Sequence, residues 1–246
     1  MQNNFKWLAA GALSLFALQG YAQHSDITFD VDDNQLVIES EGHDHDHGDE
    51  DHAGGLLTSD GKWLFEADFG DFGQGPFATD DPGYASHETS GVLNSGEVIG
   101  FAGVGTLEYW DGFSWTTSTS ATVSIEDVFG AETSFTSGGV ANGSSTFIDA
   151  ADSAGGFHSH IEYSINSDAL SGAYLIEMML LGFDETGSTQ VYTPSESYYI
   201  AFNFGLDEET YEAGIDALVS EVPVPGGAVL MFSALSALGL IGRKRR

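Results

Sequence analysis

Short stretches in which apolar and polar residues alternate, each cut off by a glycine- or aspartate-bearing turn, constrain this fold more than any other feature. ITFDV (27–31) and QLVIE (35–39) flank the turn Asp32-Asp33-Asn34. A period of two puts successive side chains on opposite faces of a strand, so one face is buried and the other wet. Further strands are predicted in SDGKWLFEA (59–67), TLEYWDGFSWTT (106–117), ATVSIE (121–126), FHSHIEYSI (157–165), GAYLIEMMLLGF (172–183) and YYIAFNFG (198–205). Asp111-Gly112 supplies the positive φ of a tight hairpin turn, with aromatic residues on both sides. No helices alternate with the strands, which excludes a parallel α/β architecture. Some eight to eleven strands, roughly counted, fit an all-β sandwich or jelly roll. One short helix is predicted in LDEETYEAGIDALVSE (206–221), where acidic residues open the first turn and Tyr211, Ile215, Leu218 and Val219 share a face. The segment 69–91, rich in glycine and proline, reads as a long ordered loop over the sheet. The β-domain is thus assigned to 23–205 and the helix and linker to 206–221.

The charge is lopsided. The chain has 38 acidic and 6 basic residues among 246. Lys6 lies near the start and Arg243, Lys244, Arg245 and Arg246 end the chain, so only Lys62 stands between. A field of that sign repels nucleic acid and anionic membranes and concentrates cations. There is no cysteine, which removes disulfides, thiolate metal sites and cysteine nucleophiles together.

Both ends read as addresses. Residues 1–22 carry one lysine, an apolar run from Trp7 to Leu18 and small residues at Gly20 and Ala22, the pattern of a secretory signal cut after Ala22. At the other end Val222, Pro223 and Pro225 precede an uncharged stretch from Gly226 to Gly242 and then the Arg243–Arg246 cluster. That is a minimal membrane helix with a cytoplasmic stop. Residues 222–246 resemble the PEP-CTERM sorting signals of Gram-negative bacteria, with Pro-Val-Pro where Pro-Glu-Pro is usual. The resemblance implies export, transient anchoring in the inner membrane, an exosortase-type processing enzyme as partner, and display at the cell surface or beyond.

The chemistry-bearing residues are histidines. In FHSHIEYSI, strand alternation puts Phe157, Ile161, Tyr163 and Ile165 on the core face and His158, His160 and Glu162 on the other. Two imidazoles at i and i+2 stand about 7 Å apart at their bases and can converge on one ion. They supply two of the ligands zinc needs, with Glu162 as a third ligand or an orienting acceptor. A polar outer face that happens to hold two histidines is the plainer alternative. His24, almost the first residue after the signal, and His87 are the only other histidines outside the 43–52 cluster.

Taken together, His24-x-Asp26, the Asp-Asp-Pro-Gly-Tyr turn at 80–84, the His-x-His strand at 158–160, GAYLIEMMLLGFD at 172–184 and SESYYIAFNFGL at 195–206 resemble the zinc-regulated (Zur-repressed) PEP-CTERM proteins. That resemblance implies extracytoplasmic zinc handling, with His24, His158 and His160 as candidates for an internal site. Residues 97–150 have no counterpart in it.

The stretch HDHDHGDEDH places His43, His45, His47 and His52 among Asp44, Asp46 and further acids. Imidazole and carboxylate are both acceptable to zinc. Ordering such a polar, glycine-flanked loop costs roughly 1–2 kcal/mol per fixed residue, so it should bind weakly and exchange quickly. Protons compete for the imidazoles, and binding should weaken below about pH 6. Copper and nickel suit imidazole at least as well by affinity, and the carboxylate clusters could hold calcium loosely.

No Gly-x-Ser-x-Gly is present, GFAGVG lacks the strand–turn–helix context of a nucleotide loop, and nothing singles out a general base. A non-enzymatic zinc-binding protein that scavenges or buffers the ion is the expected function. The competing expectation is a structural or carbohydrate-binding sandwich of an extracellular matrix, with polysaccharide stacked on exposed Trp and Tyr and the histidines incidental.

Overall fold

The computed structural model describes residues 26–39, 54–71 and 75–219. In chain order the strands are β1 (Ile27–Asp32), β2 (Gln35–Glu39), β3 (Leu56–Leu57), β4 (Trp63–Asp68), β5 (Ala78–Thr79), β6 (Tyr84–Ser86), β7 (Val98–Trp110) and β8 (Trp115–Thr116). They continue as β9 (Val123–Glu126), β10 (Glu132–Thr136), β11 (Gly139–Ala141), β12 (Phe147–Ala150), β13 (His158–Ser159), β14 (Glu162–Ile165), β15 (Gly172–Phe183) and β16 (Tyr198–Phe204), followed by helix α1 (Glu208–Asp216). Three sheets result, in the orders β13-β6-β1-β2, β11-β10-β9-β14-β5 and β12-β7-β15-β16-β4-β3 with β8 on β7. Among the described residues the fold is all-β and sandwich-like, with one short helix, as the alternation predicts.

The smaller two sheets lie over the large one. Ile27, Phe29, Leu36 and Ile38 from β1 and β2 join Val123, Ile125, Phe135 and Tyr163 from the five-stranded sheet in one buried cluster. From the large sheet, Tyr174, Ile176, Met178 and Leu180 of β15 and Tyr198, Ile200 and Phe202 of β16 complete it. Ala173, Leu175 and Ala201, on the opposite face, pack against Tyr211 and Ile215 of α1. Cover on both faces is why β15 reads as a nearly continuous apolar run instead of an alternation. The helix itself starts on Asp207, whose carboxylate accepts the Thr210 N–H, with Glu208 and Glu209 in its first turn.

Several local expectations are refined. Asp33 and Asn34 both take positive φ, giving the two-residue turn between β1 and β2. Gly112 also has positive φ, yet Trp110 pairs with Trp115, so the β7–β8 loop has four residues instead of two. There the Asp111 carboxylate accepts the N–H groups of Phe113 and Ser114. The 69–91 segment is no mere loop, since it supplies β5 and β6. Helix α1 stops at Asp216, and Val219 pairs with Thr58.

Lys62 is the single basic residue among the described residues. Its Nζ donates to Glu177 Oε1 at 2.6 Å and to the Tyr199 hydroxyl at 3.1 Å. Burial alone would lower its pKa, but those bonds and the Glu177 charge outweigh it and hold the ammonium above its ordinary value. Nearby, burial and the Glu177 charge raise Glu108. Lys62→Met should therefore cost about 2 kcal/mol, by stranding a partly buried carboxylate beside another. Urea midpoints check this, and adding Glu177→Gln should recover much of the loss.

Candidate metal centre

The site forms where three strand ends meet. β1 and β6 pair in parallel with Ile27 opposite Tyr84, while β13 runs antiparallel to β6 with Ser159 opposite Tyr84. One step beyond those pairs, Asp26, Gly83 and His160 therefore stand in a row across the sheet. His158, two residues earlier on β13, shares the face of His160.

Side chains converge over that row. Asp26 Oδ2 lies 2.9 Å from His158 Nε2, and Asp26 Oδ1 lies 3.7 Å from His160 Nε2. One donor atom from each of Asp26, His158 and His160 falls within 4.8 Å of the others. Zinc bonds of about 2.0–2.1 Å set tetrahedral donor atoms roughly 3.3 Å apart, so small rotations suffice to seat an ion. The Asp26 side chain is 14% exposed, against 52% for His158 and 40% for His160. The cluster can hold a metal ion with its outer coordination positions open to water.

Two features prepare it. His160 Nδ1 lies 2.8 Å from the Asp80 carbonyl, which fixes the proton on Nδ1 and leaves the Nε2 lone pair free to bind. Gly83 forms the floor. A Cβ there would lie 2.5 Å from His160 Cε1 and 2.6 Å from Asp26 Oδ1, so only glycine lets the two side chains meet above it.

Buried phenols hold the 80–84 turn from beneath. Tyr163 and Tyr84 hydroxyls are 2.8 Å apart, Tyr198 donates to Tyr84 at 3.2 Å, and Tyr163 also reaches the Pro82 carbonyl at 3.3 Å. The Ile27 N–H donates to the Gly83 carbonyl at 2.8 Å and ties the turn to β1.

The expected strand 157–165 is two strands in two sheets. β13 ends at Ser159, β14 begins at Glu162, and His160 turns to Asp80 between them. The facial alternation nonetheless survives, with Phe157, Ile161, Tyr163 and Ile165 buried. The break carries Glu162 away from the histidines, to a position opposite Glu126 on β9. His87 is not brought to the cluster either, since its Nδ1 faces Glu39 Oε2 at 2.5 Å. His24, the residues His43, Asp44, His45, Asp46, His47 and His52 expected to form a metal-collecting loop, and the residues 222–246 expected to form a sorting signal lie outside the described residues. Among the described residues, no helix is long and apolar enough to cross a membrane.

Sequence reasoning missed Asp26, Gly83 and Asp80 as parts of the site. Asp26 and the 80–84 turn were visible as motifs, but periodicity along one strand cannot tell which strand lies beside it. Compared with known protein families, curated proteins and solved structures, the chain matches none of them.

Proposed function

We propose that this is an exported, surface-displayed zinc-binding protein that scavenges or buffers the ion and is not an enzyme. The convergence of Asp26, His158 and His160 above Gly83 carries this proposal. Two imidazoles and one carboxylate, with open positions remaining, suit zinc in chemistry and in number. An ion there would face open water, whereas metal catalysis works in a dry, shaped cavity, and this favours binding over turnover. The 43–52 stretch would supplement the structured site as a weak, fast-exchanging collector. Export and display are supported by the composition of residues 1–22 and 222–246. A sugar-stacking matrix role is less well supported, because among the described residues every Trp and Tyr is buried or only partly exposed.

Zinc calorimetry at neutral pH on the chain lacking residues 1–22 tests the proposal. One tight site and several weak ones are expected. Deleting 43–52 should remove the weak sites alone, and His158→Ala/His160→Ala the tight one alone. Copper and nickel titrations alongside establish whether zinc is the ion the site holds. Absence of zinc binding, or binding that neither change alters, would leave the acidic matrix module as the better account.

A further inference from the structure

β2 is an outermost strand of the four-stranded sheet, so one of its edges faces away from β1. The two-residue turn at Asp33-Asn34 makes Asp32 and Gln35 a hydrogen-bonded pair, and the antiparallel alternation repeats it at Asp30/Val37 and Thr28/Glu39. Leu36 and Ile38 belong to the intervening pairs and point their backbone groups outward. The Leu36 N–H bears out this phase, since it donates to the Thr193 carbonyl at 3.1 Å. Thr193 lies parallel to Gln35, but the chain leaves β2 at Pro194, and the Ser195 N–H donates instead to the Leu180 carbonyl of β15 at 3.1 Å. Among the described residues, the Leu36 carbonyl and both backbone groups of Ile38 are left without a partner.

That edge opens onto a groove of about 470 Å³, a size within the usual range of ligand clefts. Asp60, Lys62 and Trp63 of the β3–β4 connection, with Glu196 and Ser197 ahead of β16, form the opposite wall. Half-buried Trp63 and the 37% exposed Val37 supply apolar surface. The charge of the wall is negative. Glu196 is exposed and the Asp60 side chain is half exposed, whereas the Lys62 ammonium is held by Glu177 and Tyr199. The Thr58 hydroxyl donates to Asp60 Oδ1 at 2.6 Å and the Tyr199 hydroxyl to Oδ2 at 3.1 Å, which fixes that carboxylate in place.

An open strand edge beside a groove takes an extended peptide as a further strand, with main-chain bonds giving affinity and alternate side chains specificity. Carboxylates on the wall select lysine or arginine, and an indole face attracts either cation. A second copy of this chain, with the same 38 acidic residues against 6 basic ones, is repelled. We propose that β2 receives an extended basic peptide of a partner protein as the next strand of its sheet, with lysine or arginine side chains set against Asp60 and Glu196. No residue of the metal cluster lines this groove, so the inference stands apart from the zinc reading.

A blocked hexapeptide of alternating valine and arginine, titrated into the full chain in detergent, tests the proposal. A proline–arginine hexapeptide has the same charge but lacks the alternate N–H groups. The valine peptide should slow hydrogen exchange at the Ile38 amide at least about tenfold, and bind at least about tenfold more tightly than the proline peptide. Asp60→Asn/Glu196→Gln should weaken the valine peptide at least about tenfold. Unchanged exchange at Ile38, equal affinity for the two peptides, or unaltered affinity in the variant would overturn the proposal. Protection of Ile38 that needs no peptide and grows with protein concentration would assign the edge to a second copy, and overturn it as well.

Discussion

Gly83→Ala should leave the domain folded and abolish the tight zinc site proposed at Asp26, His158 and His160. The alanine methyl would sit 2.5 Å from His160 Cε1, 2.6 Å from Asp26 Oδ1 and 2.7 Å from His160 Nε2. All three atoms end rotatable side chains, so they swing aside without moving the sheet. Gly83 does not take the positive φ that would strain an alanine, and its carbonyl still accepts the Ile27 N–H. Gly→Ala at such a position changes stability by about 1 kcal/mol or less. Metal affinity should nevertheless fall at least about 100-fold, because two of three ligands are driven from their seats. Calorimetry and a thermal melt on the same sample separate the two effects. Unchanged affinity would place the ion elsewhere.

Stability should hold up to about pH 10 and then fall steeply toward pH 12 and beyond. Burial pushes the Tyr84 hydroxyl up to about 12, against the opposing hydrogen bonds of Tyr163 and Tyr198. Burial first, and then the neighbouring phenols, raise Tyr163 and Tyr198 well above the ordinary value of 10.0. The unfolded chain releases these protons near pH 10 while the folded one keeps them, so rising pH favours unfolding. Tyr84 alone accounts for about 3 kcal/mol once both states have titrated. Urea midpoints at pH 8, 10 and 11 measure the slope. Tyr163→Phe should lower stability by about 1–2 kcal/mol at neutral pH and flatten the alkaline decline. A flat profile to pH 12 would mean that the phenols are not sealed from water.

The strands legible in the sequence were those with a local pattern, whereas β3, β5, β6, β10, β11 and β12 were not foreseen. Ile27–Val31 and Gln35–Glu39 announce themselves through alternation, Tyr198–Phe204 through a short apolar run ended by Gly205, and α1 through its acidic first turn and its buried pair Tyr211 and Ile215. Two of the site's three candidate ligands were legible for the same reason, as His158 and His160 share a face even across the break between β13 and β14. Asp26 was not, because its place depends on β1 running parallel to β6, a pairing made across more than fifty intervening residues. Glu162 follows His160 by two in sequence, yet it belongs to a different sheet, and one-dimensional spacing cannot register that change of layer. Gly83 is silent in sequence for a related reason, since its importance lies in what a side chain would strike from two other strands.

One consequence of the Asp26–His158–His160 geometry concerns the chain as a polymer. Asp26 lies just before the first strand, and the two histidines lie about 130 residues further along, so an ion shared among them closes the chain from β1 through β13 into a loop and leaves β14, β15, β16 and α1 outside it. A permanent cross-link over such a span is worth about 4–5 kcal/mol in chain entropy. This protein has no cysteine with which to make one. A bound ion would be a removable staple whose contribution rises with supply, reaching about 2.7 kcal/mol at a free concentration 100 times Kd. On the proposed reading, zinc supply and the fraction of folded protein would be two sides of one equilibrium.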